Sequence, residues 1–456
     1  MHSEVLWMVR DLTNGSPIRR ILGFCLPLLI GALFQQLYSM TDSILVARYL
    51  GTEAFAAVGS TNSLNVLIIG FALGFCSGLC IPIARHFGER NVRLIRSTVA
   101  NGLYLAAMVS LLIGVAMTLL TRPVLTLLGT PVNILDNACS YISVLFAGIG
   151  IIVSLNVCIG YMRALGDSRT PFIILVFCYL LNIILDLLFL AVFHMGVASA
   201  AWALIVSQFL SAFLCLRAIS RRFPVLHFSR ADAKISFPLI GSLCRLSVPL
   251  GLQFFISAIG SISLQVAVNS LGSDAIAAVS AGNKVQAVLL APLETVGIAV
   301  AIFASQNLGA NRPDRIRTGS RQILLFCGVY SVAAFGASHL FSSSLAELFL
   351  SSAEPKIHTM TQQFLNISAF FYVCTGVIYI CRNTLQGLGR TNAIMFAGIP
   401  DMVGRMAVGI LLVAPYGFYA ACFGNPAAWT LTALVLIPMY VTAMRRLRKT
   451  HSLYTP

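Results

Sequence analysis

LGTEAFAAVGSTN at residues 50–62 returns as LGSDAIAAVSAGN at residues 271–283. In a chain of 456 residues such an echo predicts two similar halves, and a repeat governs every later reading of a fold. The match extends in both directions. Upstream, Pro27 faces Pro249. Downstream, GFALGFCSGLCIPIARHFGERN is echoed by ETVGIAVAIFASQNLGANR, with Gly88 facing Gly309, and RALGDSRTP at 163–171 faces QGLGRTNA at 386–393.

The residues around the repeat are those of a membrane protein. Hydrophobic residues make up 58% and charged residues 10%, with a mean hydropathy of +0.88, whereas soluble domains carry about 25% charged residues. A spanning helix needs about 20 mainly apolar residues. Apolar runs bounded by charges or turn residues predict spans near 21–47, 54–83, 97–120, 138–162, 171–193 and 197–219, then near 240–270, 276–306, 319–341, 359–381, 392–413 and 417–443. The expected fold is therefore all-α and polytopic, with twelve transmembrane helices in two pseudo-symmetric six-helix lobes. The first lobe spans 1–220, a cytoplasmic linker 221–239, and the second lobe 240–456. An even span number keeps the second half in the orientation of the first, as in transporters that rock two bundles about an axis along the membrane normal.

The formal net charge of +15 raises nucleic-acid binding, but its distribution argues against it. The basic residues cluster in alternate connections, as Arg85/Arg90/Arg93/Arg96, Arg217/Arg221/Arg222/Arg230/Lys234, Arg312/Arg315/Arg317/Arg321 and Arg445/Arg446/Arg448/Lys449. The other connections hold little beyond Arg48, Arg122 and Lys356. The positive-inside rule predicts this asymmetry and places both termini in the cytoplasm, in a multi-pass protein of the cell membrane. The 12 cysteines lie almost entirely in apolar runs without CxxC or histidine partners, and read as small buried hydrophobes rather than metal ligands. The GERN and GDSR turns have no preceding strand and no following GK[ST], so no nucleotide site is expected; neither enzyme activity nor a cofactor is expected.

The chain resembles the multidrug and toxic compound extrusion (MATE) family. The resemblance rests on PLLIGALFQQLYSMTDSILVARYLGTEAFAAVG at 27–59, RALGDSRTPFIILVFCYLLNIILD at 163–186 and GVASAAWALIVSQ at 196–208, in that order and with echoes in the second half. It implies export of organic, cationic, drug-like molecules in exchange for protons or sodium. It also implies coupling through the amino-terminal lobe and bending of the first span at Pro27.

Membrane physics selects the same region. An ionisable side chain at the bilayer centre costs about 2.5 to 3.5 kcal/mol on insertion scales and is by default a functional-site hypothesis. Four acidic residues fall well inside spans: Asp42, Asp186, Glu294 and Asp401. Asn182 and Asp186, four residues apart, share one helix face. If the first and fifth spans adjoin, Asp42, Asn182 and Asp186 surround one sodium ion or share one proton, because two carboxylates at close range in a low dielectric do not both stay ionised cheaply. Helix locking by hydrogen bonds is the bland alternative for all three.

Two positions depart from the family pattern. Ala203 stands where a threonine is frequent, which removes one oxygen for sodium. The stretch PLGLQFFISAIG from Pro249 lacks the glutamate found in members that couple through the second lobe. Gln35, Tyr38, Gln253 and Glu294 are candidates to line a substrate cavity; Asn156, Tyr141, Tyr161 and Tyr379 fit ordinary packing as well. Asp401 and Arg405, four residues apart, are expected to form an intrahelical ion pair, and Glu294 follows Pro292 within its span. The expectation is a secondary antiporter acting as a monomer among membrane lipids on small organic substrates. Its rival is a flippase for lipid-linked or polyprenyl-phosphate intermediates, which calls for several cavity cations where only Arg405 and Lys284 qualify.

Overall fold

A computed structural model describes residues 11–127, 129–193, 195–347 and 355–452. The apolar runs are helices, since hydrocarbon offers the backbone no partners and each peptide group must be satisfied within its own segment. The first half contains α1 (Pro17–Gly51), α2 (Ala56–Gly88), α3 (Val92–Leu127), α4 (Val132–Ala147), α5 (Ile149–Ala164), α6 (Arg169–Leu187) and α7 (Ala198–Arg222). The second contains α8 (Phe237–Asn269), α9 (Ser273–Gly309), α10 (Pro313–Leu340), the short α11 (Ser342–Glu347), α12 (Pro355–Phe370), α13 (Tyr372–Gly387), α14 (Thr391–Ala407), α15 (Val413–Ala421) and α16 (Gly424–Ser452). Among the described residues ten helices are long and apolar enough to cross a membrane, and the bent pairs α4/α5 (45°) and α12/α13 (51°), each counted as one span, bring the number to twelve. The twelve-span, all-α class read from the sequence is the class observed.

The repeat is legible in single backbone angles. The LG corner that opens each echoed stretch has a left-handed glycine, Gly51 at φ 82°, ψ −177° and Gly272 at φ 96°, ψ 178°. A side chain at either position would strain the chain. The GERN and GANR turns each place a non-glycine residue left-handed, Arg90 at φ 56° and Asn311 at φ 54°. Both turns close their helix in one way: Asn91 donates to the His86 carbonyl at 3.0 Å and Arg312 to the Asn307 carbonyl at 2.8 Å. This bond satisfies a carbonyl that the last helical turn would otherwise orphan. A π-helical turn follows α6 at Leu188–Val192, and another follows α14 at Val408–Leu412.

Two compact units divide the chain, and they do not follow chain order: one holds Leu26–Gly251, the other Leu12–Cys25 together with the chain from Leu252 onward. In the first, the Ala57/Leu64 stretch of α2 packs on Leu125, Ile134, Ala138, Ile142 and Phe146. Leu111, Leu112 and Leu119 of α3 stay exposed, as a lipid-facing surface does. The basic segment after α7 is strapped to α3 by backbone contacts. Arg96 Nη2 donates to the Pro224 carbonyl (3.3 Å), Asn101 Nδ2 to Lys234 (3.2 Å) and Tyr104 Oη to Ala233 (3.2 Å), while the Ser236 amide donates to Asn101 Oδ1 (2.9 Å).

In the second unit, the residues before α1 form a comparable strap. The Leu12 amide donates to Gln306 Oε1 (3.1 Å), Arg312 Nη1 donates to the Thr13 carbonyl (2.8 Å) and Arg315 Nη1 to the Gly15 carbonyl (2.7 Å). A second core gathers Val268, Val279, Phe364, Leu365 and Cys422. The twelve cysteines are free thiols.

Candidate ion-coupling site

α1 and α6 run side by side through the first unit, in the same direction. Gly31 of α1 leaves room for Phe172, whose ring would lie 3.5 Å from a Cβ at that position. Seven residues further along each helix, Tyr38 and Tyr179 stack with ring centroids 5.2 Å apart and planes 10° from parallel. Next come the carboxyl groups of Asp42 and Asp186, near enough to hydrogen-bond to each other. One turn beyond, Val46 and Leu190 pack with Ala200 in an apolar cluster that also includes the flank of Tyr141. The pair is thus bounded along its helices by stacked aromatic rings on one side and aliphatic side chains on the other.

Asp186 has no exposed surface and Asn182 has 1%. Among the described residues no N–H or O–H donor reaches either Asp186 oxygen, and both polar atoms of the Asn182 side chain lack partners. Buried polar groups are normally satisfied, and leaving one unmet costs about 1–3 kcal/mol. Ionised carboxylates carry acceptors only, so a hydrogen bond between Asp42 and Asp186 exists only when one of them holds a proton. Tyr38 and Tyr141 both lie within electrostatic reach of the two carboxylates. The orphaned Asn182 Oδ1 and the carboxylate oxygens also suit a sodium ion, which takes oxygen donors. Ala203, fully buried on α7, adds none. No group of three His, Cys, Asp or Glu side chains among the described residues is arranged for a metal.

The π-helical turn begins two residues after Asp186. Such turns are frequent at functional positions, and nothing in the apolar run LLFLAV signals one. Tyr179 also went unread in the sequence, although its place seven residues before Asp186 puts it on the same helix face.

The structure distributes the other candidates more widely. Gln35 lies on the exposed side of α1. Gln253 is buried; its Nε2 donates to Ser257 Oγ at 3.1 Å, and α14 packs on its backbone at Gly398. Asn156 Nδ2 donates to the Ile152 carbonyl within its own helix at 2.8 Å. Tyr161 is buried against Gly102. Pro27 lies one residue past the point where α1 enters the first unit.

The second unit holds its own charged group. Arg405 Nη1 pairs with Asp401 along α14, as the four-residue spacing predicts, and Arg405 Nε donates to Asn425 Oδ1 at 3.1 Å. Glu294 stands on the open side of α9 between buried neighbours. Arg382 of α13 lies over the Tyr379 ring, 5.1 Å from its centroid. The sequence reading passed over Arg382, because a basic residue five positions before a helix end looks like part of a cytoplasmic cluster.

A family model described as MatE matches residues 27–188 and 249–411, one block in each half. The probable multidrug resistance protein YoeA of Bacillus subtilis strain 168 is 29% identical over 431 residues, which cover 91% of this chain and 92% of that protein. An FAD transporter of Shewanella oneidensis is 24% identical over 82% of this chain and 84% of its own length. A crystal structure of a MATE protein in complex with MaL6 superposes with a TM-score of 0.89 at 22% identity, covering 96% of this chain and 99% of that one.

Proposed function

The chain belongs to the MatE family, transporters rather than enzymes that include multidrug resistance proteins and an FAD transporter, and from this we propose that it exports organic, drug-like cations in exchange for protons or sodium ions. One observation carries the reading: two carboxylates, one with no exposed surface, face each other inside the membrane with no donor to satisfy Asp186. A proton or a sodium ion supplies what that arrangement lacks.

The coupling follows from differential binding. With the pair neutralised, α1 and α6 pack without repulsion; with both carboxylates ionised, they repel across a low dielectric. A cation bound tenfold better by one arrangement of the helices shifts their equilibrium by about 1.4 kcal/mol. Pro27, fifteen residues before Asp42, contributes no N–H to the helix ladder and weakens α1 at the place where a bend is least costly. The aliphatic group of Val46, Leu190 and Ala200 serves as a barrier that opens on one side only. Inward movement of the ion then drives outward release of the organic molecule.

Orientation rests on charge. The connections opposite the basic clusters carry few cations, and two of those are neutralised locally, Arg122 by Asp136 at 2.9 Å and Lys356 by Asp274 at 2.7 Å. The count of Lys and Arg, which those ion pairs leave unchanged, puts the basic side in the cytoplasm.

The test is export of a cationic dye from cells expressing the full chain. Asp42→Asn and Asp186→Asn are each expected to abolish export at unchanged membrane abundance, and undiminished export by either variant removes the pair from the mechanism. Asn182→Ala is expected to weaken sodium-driven export more than proton-driven export, because it deletes an oxygen that only a metal ion requires.

A further inference from the structure

We propose that Glu294 and Arg382 of the second unit form a binding subsite for zwitterionic organic molecules, Glu294 taking an ammonium or other cationic group and Arg382 a carboxylate or phosphate. The proposal rests on the export reading above and narrows it, from drug-like cations in general to those whose cationic group is accompanied by a carboxylate or phosphate.

α9 and α13 are forced together at Gly297, where a Cβ would come within 2.6 Å of Asn383 Nδ2 and 3.4 Å of the Tyr379 carbonyl. Glu294 is three residues before Gly297 on α9, and Arg382 directly precedes Asn383 on α13. The close approach therefore brings a carboxylate and a guanidinium of opposite helices into electrostatic reach of each other. They nonetheless form no ion pair, and neither side chain makes a hydrogen bond with any described residue. Two opposite charges inside a span normally close on each other, since an unpaired charge there is expensive.

Arg382 is held back from closing, and Glu294 faces open space. The Arg382 guanidinium rests on the Tyr379 ring, a cation–π contact that fixes its plane. Glu294 sits on the open side of α9, with Leu293, Thr295, Val296 and Gly297 buried around it. The neighbouring charges are already satisfied, because Arg405 is held by Asp401 and Asn425. Among the described residues around Tyr379, that leaves one unpaired acid and one unpaired base.

A ligand with both charges meets both needs at once and brings no net charge into the membrane. A simple cation would leave Arg382 unmatched, and a simple anion would leave Glu294 unmatched. A planar guanidinium also prefers the fork geometry of a carboxylate or phosphate.

The experiment uses the full chain in lipid nanodiscs and two dyes, the zwitterion rhodamine 110 and its methyl ester rhodamine 123, which keeps the cationic ring system and lacks the carboxylate. Binding is read by fluorescence anisotropy at one pH with no gradient, so the result does not depend on ion coupling. The wild type is expected to bind rhodamine 110 more tightly than the ester. Arg382→Gln is expected to weaken rhodamine 110 at least tenfold and the ester less than threefold, and Arg382→Lys to keep part of the preference. Glu294→Gln is expected to weaken both dyes. Equal losses of both dyes in Arg382→Gln, no preference in the wild type, or unchanged binding in Glu294→Gln overturns the proposal. Loss of export in Asp42→Asn with dye preference intact leaves the two readings separately judged.

Discussion

The strap ahead of α1 offers a prediction whose size follows from its contacts. Arg315 donates from Nη1 to the Gly15 carbonyl (2.7 Å), from Nη2 to the Leu12 carbonyl (3.2 Å) and from Nε to Asn307 Oδ1 (2.9 Å), and its guanidinium lies 5.9 Å from the Phe303 ring centroid. Hydrogen bonds from a charged donor contribute about 1.5–3 kcal/mol each. Water reaches part of this rim and recovers some of that, so Arg315→Ala is expected to cost about 2–4 kcal/mol. For a unit of this size about 2–4 °C of melting temperature accompanies each kcal/mol, which predicts a fall of about 4–16 °C. Arg315→Lys, a single ammonium in place of a three-pronged fork, should keep only a minor share. The assay is thermal melting of the detergent-solubilised full chain, with limited proteolysis reporting release of residues 12–16. A shift below about 2 °C in Arg315→Ala, or wild-type stability in Arg315→Lys, refutes the reasoning.

Two further outcomes follow from charges placed elsewhere. Asp401→Asn leaves the half-buried Arg405 without its counter-charge and is expected to destabilise by less than the roughly 3–5 kcal/mol of a fully buried pair, whereas Asp401→Asn combined with Arg405→Gln recovers most of that; equal melting of single and double variants contradicts it. In the segment after α7, the Ser229 amide (3.0 Å) and hydroxyl (2.8 Å) donate to Asp232 and hold its carboxyl below the usual carboxylate range. A lowered folded-state value means that the cap stabilises above the ordinary carboxylate range of about 4 and is lost as pH falls through the lowered value. Amide exchange at Ser229 should therefore be slow at neutral pH, faster in Asp232→Asn, and alike in both at strongly acidic pH.

Much of the architecture was legible because lipid leaves the chain few choices. Length and hydropathy set the span number, and the LG corner at 50–51 and 271–272 revealed the repeat that left-handed Gly51 and Gly272 later display in their angles. Asp42, Asn182 and Asp186 were legible for a related reason, since polar groups in hydrocarbon demand a purpose. What stayed hidden depends on helix faces and on backbone partners. A helix that is apolar all round carries no periodic signal, so the sequence did not show that Gln253 is packed against α14 or that Tyr179 stacks on Tyr38. Carbonyl groups bound by Arg312 and Arg315 leave no pattern in the residues that own them, so the assignment of Leu12–Cys25 to the second unit was invisible. The π-helical turns at Leu188–Val192 and Val408–Leu412 lie in unbroken apolar runs and gave no warning.

The decisive measurement is ion movement driven by the organic substrate. Proteoliposomes holding a trapped pH dye, and in parallel a trapped sodium dye, are given an outward or inward gradient of a transported cation and no ion gradient of their own. The wild type should move protons or sodium ions against the substrate flow, and Asp186→Asn should move neither while still exchanging substrate for substrate across the membrane. Substrate-driven ion movement that persists in Asp186→Asn would show that the carboxylates of α1 and α6 do not carry the coupling ion.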